Sequence, residues 1–583
     1  MCGIHALITR TPSPPSASSQ SLPSNNNTKS NHLSPTLTRD LRARGPDHIG
    51  HVERHRVCTC SSPTTTRATD EPGSGDEAGW TLRFTSTVLA LRGDHVARQP
   101  LTGVGDSSSV LCWNGEAWRV DGELVEGNDG EVVLTRLLRA IGGNGGGVDA
   151  VLDVLRGIEG PFAFVFYDAV AGRVFFGRDR LGRRSLLMAL REEGGLELCS
   201  VAGESREGWK EVEADGVYVV TVGGDLDPVR YDWVVGPDAA DFVSGIGRFN
   251  KALPVSPSPL TARSHSVAAL GQQLLESLKL RALNIPIPPS SDPSGKTRVA
   301  VLFSGGLDCA VLARLCHEVL DADSGIDLLN VAFENPRVVA QLRKENSNLL
   351  DFYEACPDRV TGRRSFAELQ ATCPGRAFRF VAVNVPYSET QEHRQQVISV
   401  IHPHNTEMDL SIAYALYFAA RGQGVVSESP DSAPVTYTSP ARVLLSGLGA
   451  DELFGGYSRH PSAFQHRGYP GLVDELLLDV GRLGKRNLGR DDRAMAHWGK
   501  EVRFPFLDER LVKWAIETPA WEKCDFEHSE EDSGVEACKR VLRLLALELG
   551  MVTVAREKKR AIQFGARTAK MESGKVKGTT LIA

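Results

Sequence analysis

Apolar positions follow two different rhythms along this chain. Between residues 80 and 235 they come in short runs of strand length, TSTVLAL (85–91), SSVLCW (108–113), FAFVFYD (162–168), RVFFGRD (173–179) and GVYVVTV (216–222), separated by Gly and Asp turns. One helical pattern, GEVVLTRLLRAI (130–141), interrupts them. This predicts an α+β domain built on antiparallel sheet. From about residue 265 the pattern changes. Leu270, Leu274, Leu275 and Leu278 mark one face of a helix, and VAVLF (299–303), IDLLNVAF (326–333), FRFVAVNV (378–385) and ARVLLSG (441–447) read as buried strands with helical stretches between them. Fully apolar strands alternating with helices predict a doubly wound α/β domain on a parallel sheet.

Three stretches interrupt these patterns. Residues 11–39 and 61–79 are rich in Ser, Pro, Asn and Thr, too poor in apolar side chains to pack, and read as disordered surface insertions. Residues 284–297 (NIPIPPSSDPSGKT) read as a Pro-rich connector. The domain boundaries drawn on this basis are 1–235 and 265–583, with 236–264 as a linker.

Length and charge narrow the class. At 583 residues the chain needs more than one domain. Its 66 Lys and Arg against 73 Asp and Glu give a formal charge of -7, which argues against a wholly basic nucleic-acid-binding surface. No apolar run reaches the roughly 20 residues that span a bilayer, and MCGIHALITR lacks the basic start of a signal peptide, so no membrane role is expected. Eleven irregularly spaced cysteines point to a reducing, cytoplasmic setting.

The first chemical candidate is Cys2. Removal of Met1 would leave a cysteine whose own α-amino group can accept the thiol proton, so one residue supplies nucleophile and base. The alternative is a small buried residue in the first strand. CGIHAL at the start, RGPD (44–47), QPL (99–101), NGE (114–116) and GRDRLGRRSL (177–186) follow in that order, and this succession resembles the glutaminase domain of class II, N-terminal-nucleophile glutamine amidotransferases over roughly residues 2–235. The resemblance implies Cys2 as nucleophile and Asn114 with Gly115 as oxyanion hole. It implies Glu116 and Asp129 on the α-ammonium of glutamine, and Arg92 on its α-carboxylate.

The second candidate is SGGLD (304–308), after the strand VAVLF and before a helix. Glycines let the backbone approach a phosphate chain, and the helix N-terminus offers it N–H groups. An ordinary Gly-rich strand–helix turn is the alternative. It is not a Walker A loop: Gly295–Lys296–Thr297 is the only GK[ST], and Ser290 stands where the first Gly belongs. SGGLD resembles instead the pyrophosphate loop of ATP pyrophosphatases, with Cys309 where that family has Ser. SGLGADELFGGYSRH (446–460) and EVRFPFLDERLV (501–512) resemble segments of asparagine synthetases in the same order. That resemblance implies adenosine contacts at Ser446, Gly447 and the backbone around Leu302 and Phe333, a phosphate cradle of Ser304, Gly305, Gly306 and Asp308, and magnesium on Asp308 and Asp451. It implies that Lys558, in REKKR, acts on the acyl-adenylate; a solvated helix end is the other reading of that basic run. His51, His55, Cys58 and Cys60 lie within ten residues but lack a zinc spacing.

Together these pieces resemble glutamine-hydrolysing asparagine synthetase and its divergent relatives, the asparagine synthetase domain-containing proteins. The implied activity is ATP-dependent asparagine synthesis from aspartate, with ammonia drawn from glutamine. The implied small molecules are glutamine, aspartate and ATP with Mg, without nucleic acid or membrane; a homodimer is left open. Leu448 departs from the family, which usually has Glu there beside the acyl-transfer centre. Two alternatives therefore stay open: a nucleotide- or partner-binding pseudoenzyme, and an amide-forming synthetase with another acyl substrate.

Overall fold

The fold was established as a computed structural model. It describes residues 2–11, 33–58, 78–103, 108–143, 147–191, 194–203, 207–286, 297–345, 351–427, 432–528, 534–572 and 577–582. Within these the chain divides into two compact units.

The first unit comprises residues up to Ala90, His95–Asp179 and Arg184–Asp232. Its strands are β1 (Gly3–Thr11), β2 (His48–Cys58), β3 (Ala78–Val88), β4 (Leu101–Thr102), β5 (Val110–Gly115), β6 (Phe162–Asp168), β7 (Arg173–Arg178), β8 (Leu187–Arg191), β9 (Gly195–Cys199), β10 (Lys210–Glu211), β11 (Gly216–Thr221) and β12 (Val229–Asp232). They form two antiparallel sheets, ordered β10-β8-β9-β1-β3-β2 and β12-β11-β7-β6-β5-β4. Alternate residues of each strand enter the layer between the sheets: Ile4, Ala6 and Ile8 from β1, Trp80, Leu82 and Phe84 from β3, and Val110 and Cys112 from β5.

The outer faces carry helices. α1 (Pro35–Arg44) buries Leu37 and Leu41, with Leu33, against Leu187, Ala189, Cys199 and Trp209. α2 (Asp129–Gly142) packs on β4 and β5 and on α3 (Val148–Arg156). The result is a four-layer α+β sandwich, helix–sheet–sheet–helix.

α1 corrects the extent of the first insertion. Residues 12–32 lie outside the described residues, but 33–39 begin a packed element. Ser34 caps it, its Oγ accepting from Leu37 N at 3.1 Å, and Pro35 opens the first turn. Leu33, Leu37 and Leu41, four apart, supply the buried stripe that the Ser/Pro-rich surroundings obscure. Of the second insertion, residues 61–77 lie outside the described residues, and 78–79 open β3.

The second unit holds Leu91–Asp94, Arg180–Arg183 and everything from Trp233 onward. Its strands are β13 (Thr297–Leu302), β14 (Gly325–Phe333), β15 (Phe378–Val385), β16 (Gln423–Val426), β17 (Val435–Thr438), β18 (Val443–Leu445) and β19 (Glu501–Arg503). They form one sheet ordered β17-β16-β15-β14-β13-β18-β19. β13, β14, β15, β18 and β19 run parallel, and β16 and β17 add an antiparallel edge. Residues 236–264, read as a linker, belong to this unit: Asn250 N donates to Ile516 O at 2.8 Å and Phe249 lies buried beneath Lys523. In α4 (His265–Ala282) Leu270, Leu274 and Leu278 are fully buried and Leu275 is half-buried. Of the Pro-rich connector, 287–296 lie outside the described residues, Ile285 is buried and Thr297 begins β13. No helix among the described residues is long and apolar enough to cross a membrane.

Candidate active sites

In the first unit the β1 start and the β5 end face each other from opposite sheets. Cys2 N donates to Asn114 Oδ1 at 3.0 Å, so the nucleophile's own nitrogen is tied to the amide predicted for the oxyanion hole. That bond consumes the acceptor end of the Asn114 amide. Its donor end, Nδ2, is buried and has no hydrogen-bond partner among the described residues. A desolvated donor left open beside a thiol is what a developing oxyanion requires. At Gly115 a Cβ would sit 2.5 Å from Pro161 O and 2.6 Å from the Phe162 Cα, so only glycine fits.

Gln99, quoted in the motif QPL but given no role on the sequence, links the same groups. Its Nε2 lies 3.7 Å from Cys2 Sγ and its Oε1 accepts from Trp113 N at 2.8 Å. Asp129 is buried in the first turn of α2, where Oδ2 accepts from Trp113 Nε1 at 2.8 Å and from Ala117 N at 2.9 Å. It therefore ties down the turn carrying Asn114, Gly115 and the buried Glu116, in addition to any bond with a substrate ammonium. Arg92 sits in Leu91–Asp94, the short segment that groups with the second unit. His51 and His55, which lie close to Cys58 in the sequence, each bond a threonine of β3, Thr85 at 2.8 Å and Thr81 at 3.2 Å.

In the second unit, β13 and β18 are neighbours at the point where the strand order reverses, and both Gly-rich motifs leave their C-terminal ends. Ligands of open α/β sheets bind at such a switch point. SGGLD enters α5 (Leu307–Val319), with Gly305 at φ +82 and only 2.5 Å between its would-be Cβ and the backbone of Gly362. Gly362 belongs to α6 (Pro357–Thr372), which also fixes the loop through Ser365 Oγ donating to Gly305 O at 2.6 Å. Gly306 N donates to Ser304 Oγ at 3.3 Å. A Cβ on Gly447 would come within 2.8 Å of Asp308 Cβ, so the two loops touch through that glycine. Cys309, in place of the family's Ser, turns inward and donates to Gly306 O at 3.2 Å; burial pushes its thiol up to about 11.

The two predicted carboxylates converge. Lys539 Nζ lies 2.7 Å from both oxygens of Asp308 and 2.7 Å from Asp451 Oδ1, while Lys559 pairs with Asp451 Oδ2. Burial pushes Asp308 up, and the pull of Lys539 only partly offsets it. At Asp451 burial acts the same way but Lys539 and Lys559 outweigh it, holding the carboxyl at about 2. Lys539 is raised: burial opposes its charge, and the two carboxylates restore it. An oxygen of each Asp within reach of one nitrogen means that both can also reach one divalent cation. Magnesium is commonly bound this way, by one or two carboxylates with phosphate oxygens and water completing the shell.

Two of the residues chosen on the sequence have surroundings that the motifs do not show. Lys558 is exposed and makes no ion pair among the described residues. Its neighbour Lys559 is the lysine at Asp451, its Nζ 4.0 Å over the Tyr457 ring. Both lysines are exposed, and which of the two meets Asp451 is set by the local course of the backbone, which the motif does not reveal. Phe333, chosen for adenosine, is fully buried against Phe418, and its N–H donates to Ala566 O at 3.1 Å. Lys539 was missed altogether. It sits at φ 53 just before the helix Arg540–Glu548, and nothing in EACKRVL distinguishes it.

Comparison with known proteins finds a family match in each half of the chain. Residues 87–203 match the glutamine amidotransferase domain family, and residues 464–572 match the asparagine synthase family. Over 94% of its length the chain is 32% identical to asparagine synthetase domain-containing protein 1 of Mus musculus, covering 96% of that protein. A Saccharomyces cerevisiae protein of the same description is 33% identical over 86% of both chains. Asparagine synthetase [glutamine-hydrolyzing] of Gallus gallus is 27% identical over 70% of this chain and 65% of its own. The chain belongs to the family of asparagine synthetase domain-containing proteins.

Proposed function

We propose that this protein is a glutamine-dependent, ATP-consuming amide synthetase, with aspartate as the acyl substrate that its resemblance names. The observation that carries the reading is the cluster Asp308–Lys539–Asp451–Lys559 at the switch point of the second sheet. In the glutaminase half, the Cys2 thiolate attacks the carboxamide carbon of glutamine, and the proton passes through the α-amino group. The Asn114 Nδ2–H donates to the oxyanion, ammonia leaves, and water hydrolyses the γ-glutamyl thioester to glutamate. In the synthetase half, the substrate carboxylate attacks the α-phosphorus of ATP and pyrophosphate departs. Ammonia then attacks the acyl carbon, and AMP leaves as the amide forms. Asp308 and Asp451 would hold magnesium, whose charge neutralises the phosphates. Lys539 and Lys559 are placed to exchange their carboxylate partners for phosphate or acyl-phosphate oxygens.

One observation favours a second reading, nucleotide binding with little or no amide synthesis: Leu448 has no group to accept a proton. General acid–base help is worth about 10²–10⁴-fold, so a Leu there leaves the acyl step slow. The test is pyrophosphate release and asparagine formation from aspartate, Mg-ATP and ammonia, by the natural protein and by Leu448→Glu. Aspartate-dependent turnover by the natural protein supports the synthetase, and turnover gained only in Leu448→Glu supports the second reading. Nucleotide binding without turnover in both supports the second reading.

A further inference from the structure

Away from both sites, α7 (Arg394–Ile401) and α8 (Glu407–Arg421) meet the C-terminal segment around a cavity of about 330 Å³. Neither nucleotide loop contributes to its wall. Its interior is formed by Leu410, Tyr414, Thr568 and Met571, each less than a tenth exposed. Hydroxyls around it are mostly spent on nearby carbonyls, Thr390 on Pro386 at 3.2 Å and Ser411 on Met408 at 2.9 Å. The Tyr414 hydroxyl is different: the residue is 6% exposed, and its O–H makes no hydrogen bond among the described residues. Burial holds that phenol protonated, with Arg394 pulling the other way and Glu572, Glu407 and Tyr387 reinforcing it. An O–H without a protein partner, on a side chain otherwise buried in the wall of a cavity of this size, is a donor open to a guest.

The rim carries charges of both signs. Arg394 Nε lies 3.7 Å from Glu572 Oε1, and Gln391 Nε2 3.5 Å from the same oxygen, both long for settled bonds. Glu407 stands opposite, and Lys570 and Lys577 complete the edge. Such a rim suits neither a polyanion nor a polycation. The volume lies at the lower end of small-molecule sites, about 300–1,000 Å³, so a compact guest fits better than a nucleotide.

We propose that this cavity binds a free α-amino acid: the side chain enters toward the Tyr414 hydroxyl, Arg394 takes the carboxylate, and Glu407 and Glu572 take the ammonium. The segment Gln563–Glu572 that walls it follows closely on Lys559, so an occupant steadies the stretch of chain that also supplies the nucleotide cluster.

The test uses the full chain without ATP, so it stands apart from the synthetase reading. Each proteinogenic L-amino acid at millimolar concentration is screened by thermal shift, and those that act are titrated calorimetrically. At least one is expected to bind saturably, and its N-acetyl and carboxamide derivatives to bind at least tenfold more weakly. Arg394→Gln should lose that binding, Arg394→Lys should recover part of it, and Tyr414→Phe should weaken it about fivefold, the worth of one hydrogen bond. Loss in Arg394→Gln with an unchanged unliganded melting curve distinguishes this cavity from the glutaminase pocket. No saturable binding by any amino acid, equal binding of the blocked derivatives, or binding indifferent to Arg394→Gln would each overturn the proposal.

Discussion

Lys558 and Lys559 differ by one position and by everything that surrounds them. Lys559 closes the charge cluster at Asp451 and stacks on Tyr457, whose hydroxyl donates to Glu452 at 2.5 Å and whose N–H donates to His460 Nδ1 at 3.0 Å. Lys559→Ala is expected to weaken Mg-ATP binding by tenfold or more, and Lys558→Ala to leave it within twofold, as titration calorimetry with each variant will show. Asp358 is a second single-residue test. Burial pushes its carboxyl up to about 7, and Arg560, 3.7 Å away, only partly offsets that. A raised carboxyl contributes most below its unfolded value near 4 and loses that contribution as pH rises through 7. The melting temperature should therefore fall from pH 4 to pH 7 relative to that of Asp358→Asn, whose own profile is flatter over that window. Parallel profiles would show that Asp358 does not titrate there.

At the scale of elements, α1 is the piece that composition concealed and packing reveals. Leu41 is fully buried between α1 and the first sheet, and Leu41 O also accepts from Thr87 Oγ1 at 2.7 Å, the hydroxyl that receives Gly3 N–H beside Cys2. Leu41→Ala should cost about 2–5 kcal/mol and Ser34→Ala about 1 kcal/mol, measured by denaturant unfolding of the first unit's signal. Because α1 anchors Thr87 behind the nucleophile, Leu41→Ala should also lower glutaminase turnover more than Ser34→Ala does. The turn holding Gly305 is the corresponding element in the second unit. Gly305→Ala adds a Cβ 2.5 Å from Gly362 at a positive φ, so the loop must shift and nucleotide binding should drop, read by the same calorimetry.

For the whole molecule the consequence is separability. Cys2 and Asn114 lie in one compact unit, Asp308, Asp451, Lys539 and Lys559 in the other. Cys2→Ala should abolish glutamine hydrolysis while leaving Mg-ATP binding unchanged. Asp451→Asn should do the reverse, since it removes the charge that both lysines share. Glutamine hydrolysis that survives Cys2→Ala would remove Cys2 from the nucleophile's place.

Much of this was legible in the residues alone, for a physical reason. Short apolar runs of strand length divided by Gly and Asp turns, and fully apolar runs alternating with helices, report where strands lie and how deeply they are buried, so an antiparallel sheet in the first half and a parallel sheet in the second were both foreseeable. CGIHAL, NGE, SGGLD and SGLGADE are local: glycine positions, a terminal thiol and a strand end are written in consecutive residues. What was not legible depends on groups brought together from far apart. Gln99 reaches Cys2 across 97 positions, and Lys539 reaches Asp308 across 231. The pairing of Lys559 with Asp451, the engagement of the Phe333 N–H by Ala566 and the Tyr414 cavity likewise exist only once distant segments pack. A local pattern fixes which side chains an element presents. Only the tertiary structure decides which charge each one meets, because that depends on burial and on partners no single stretch of sequence contains.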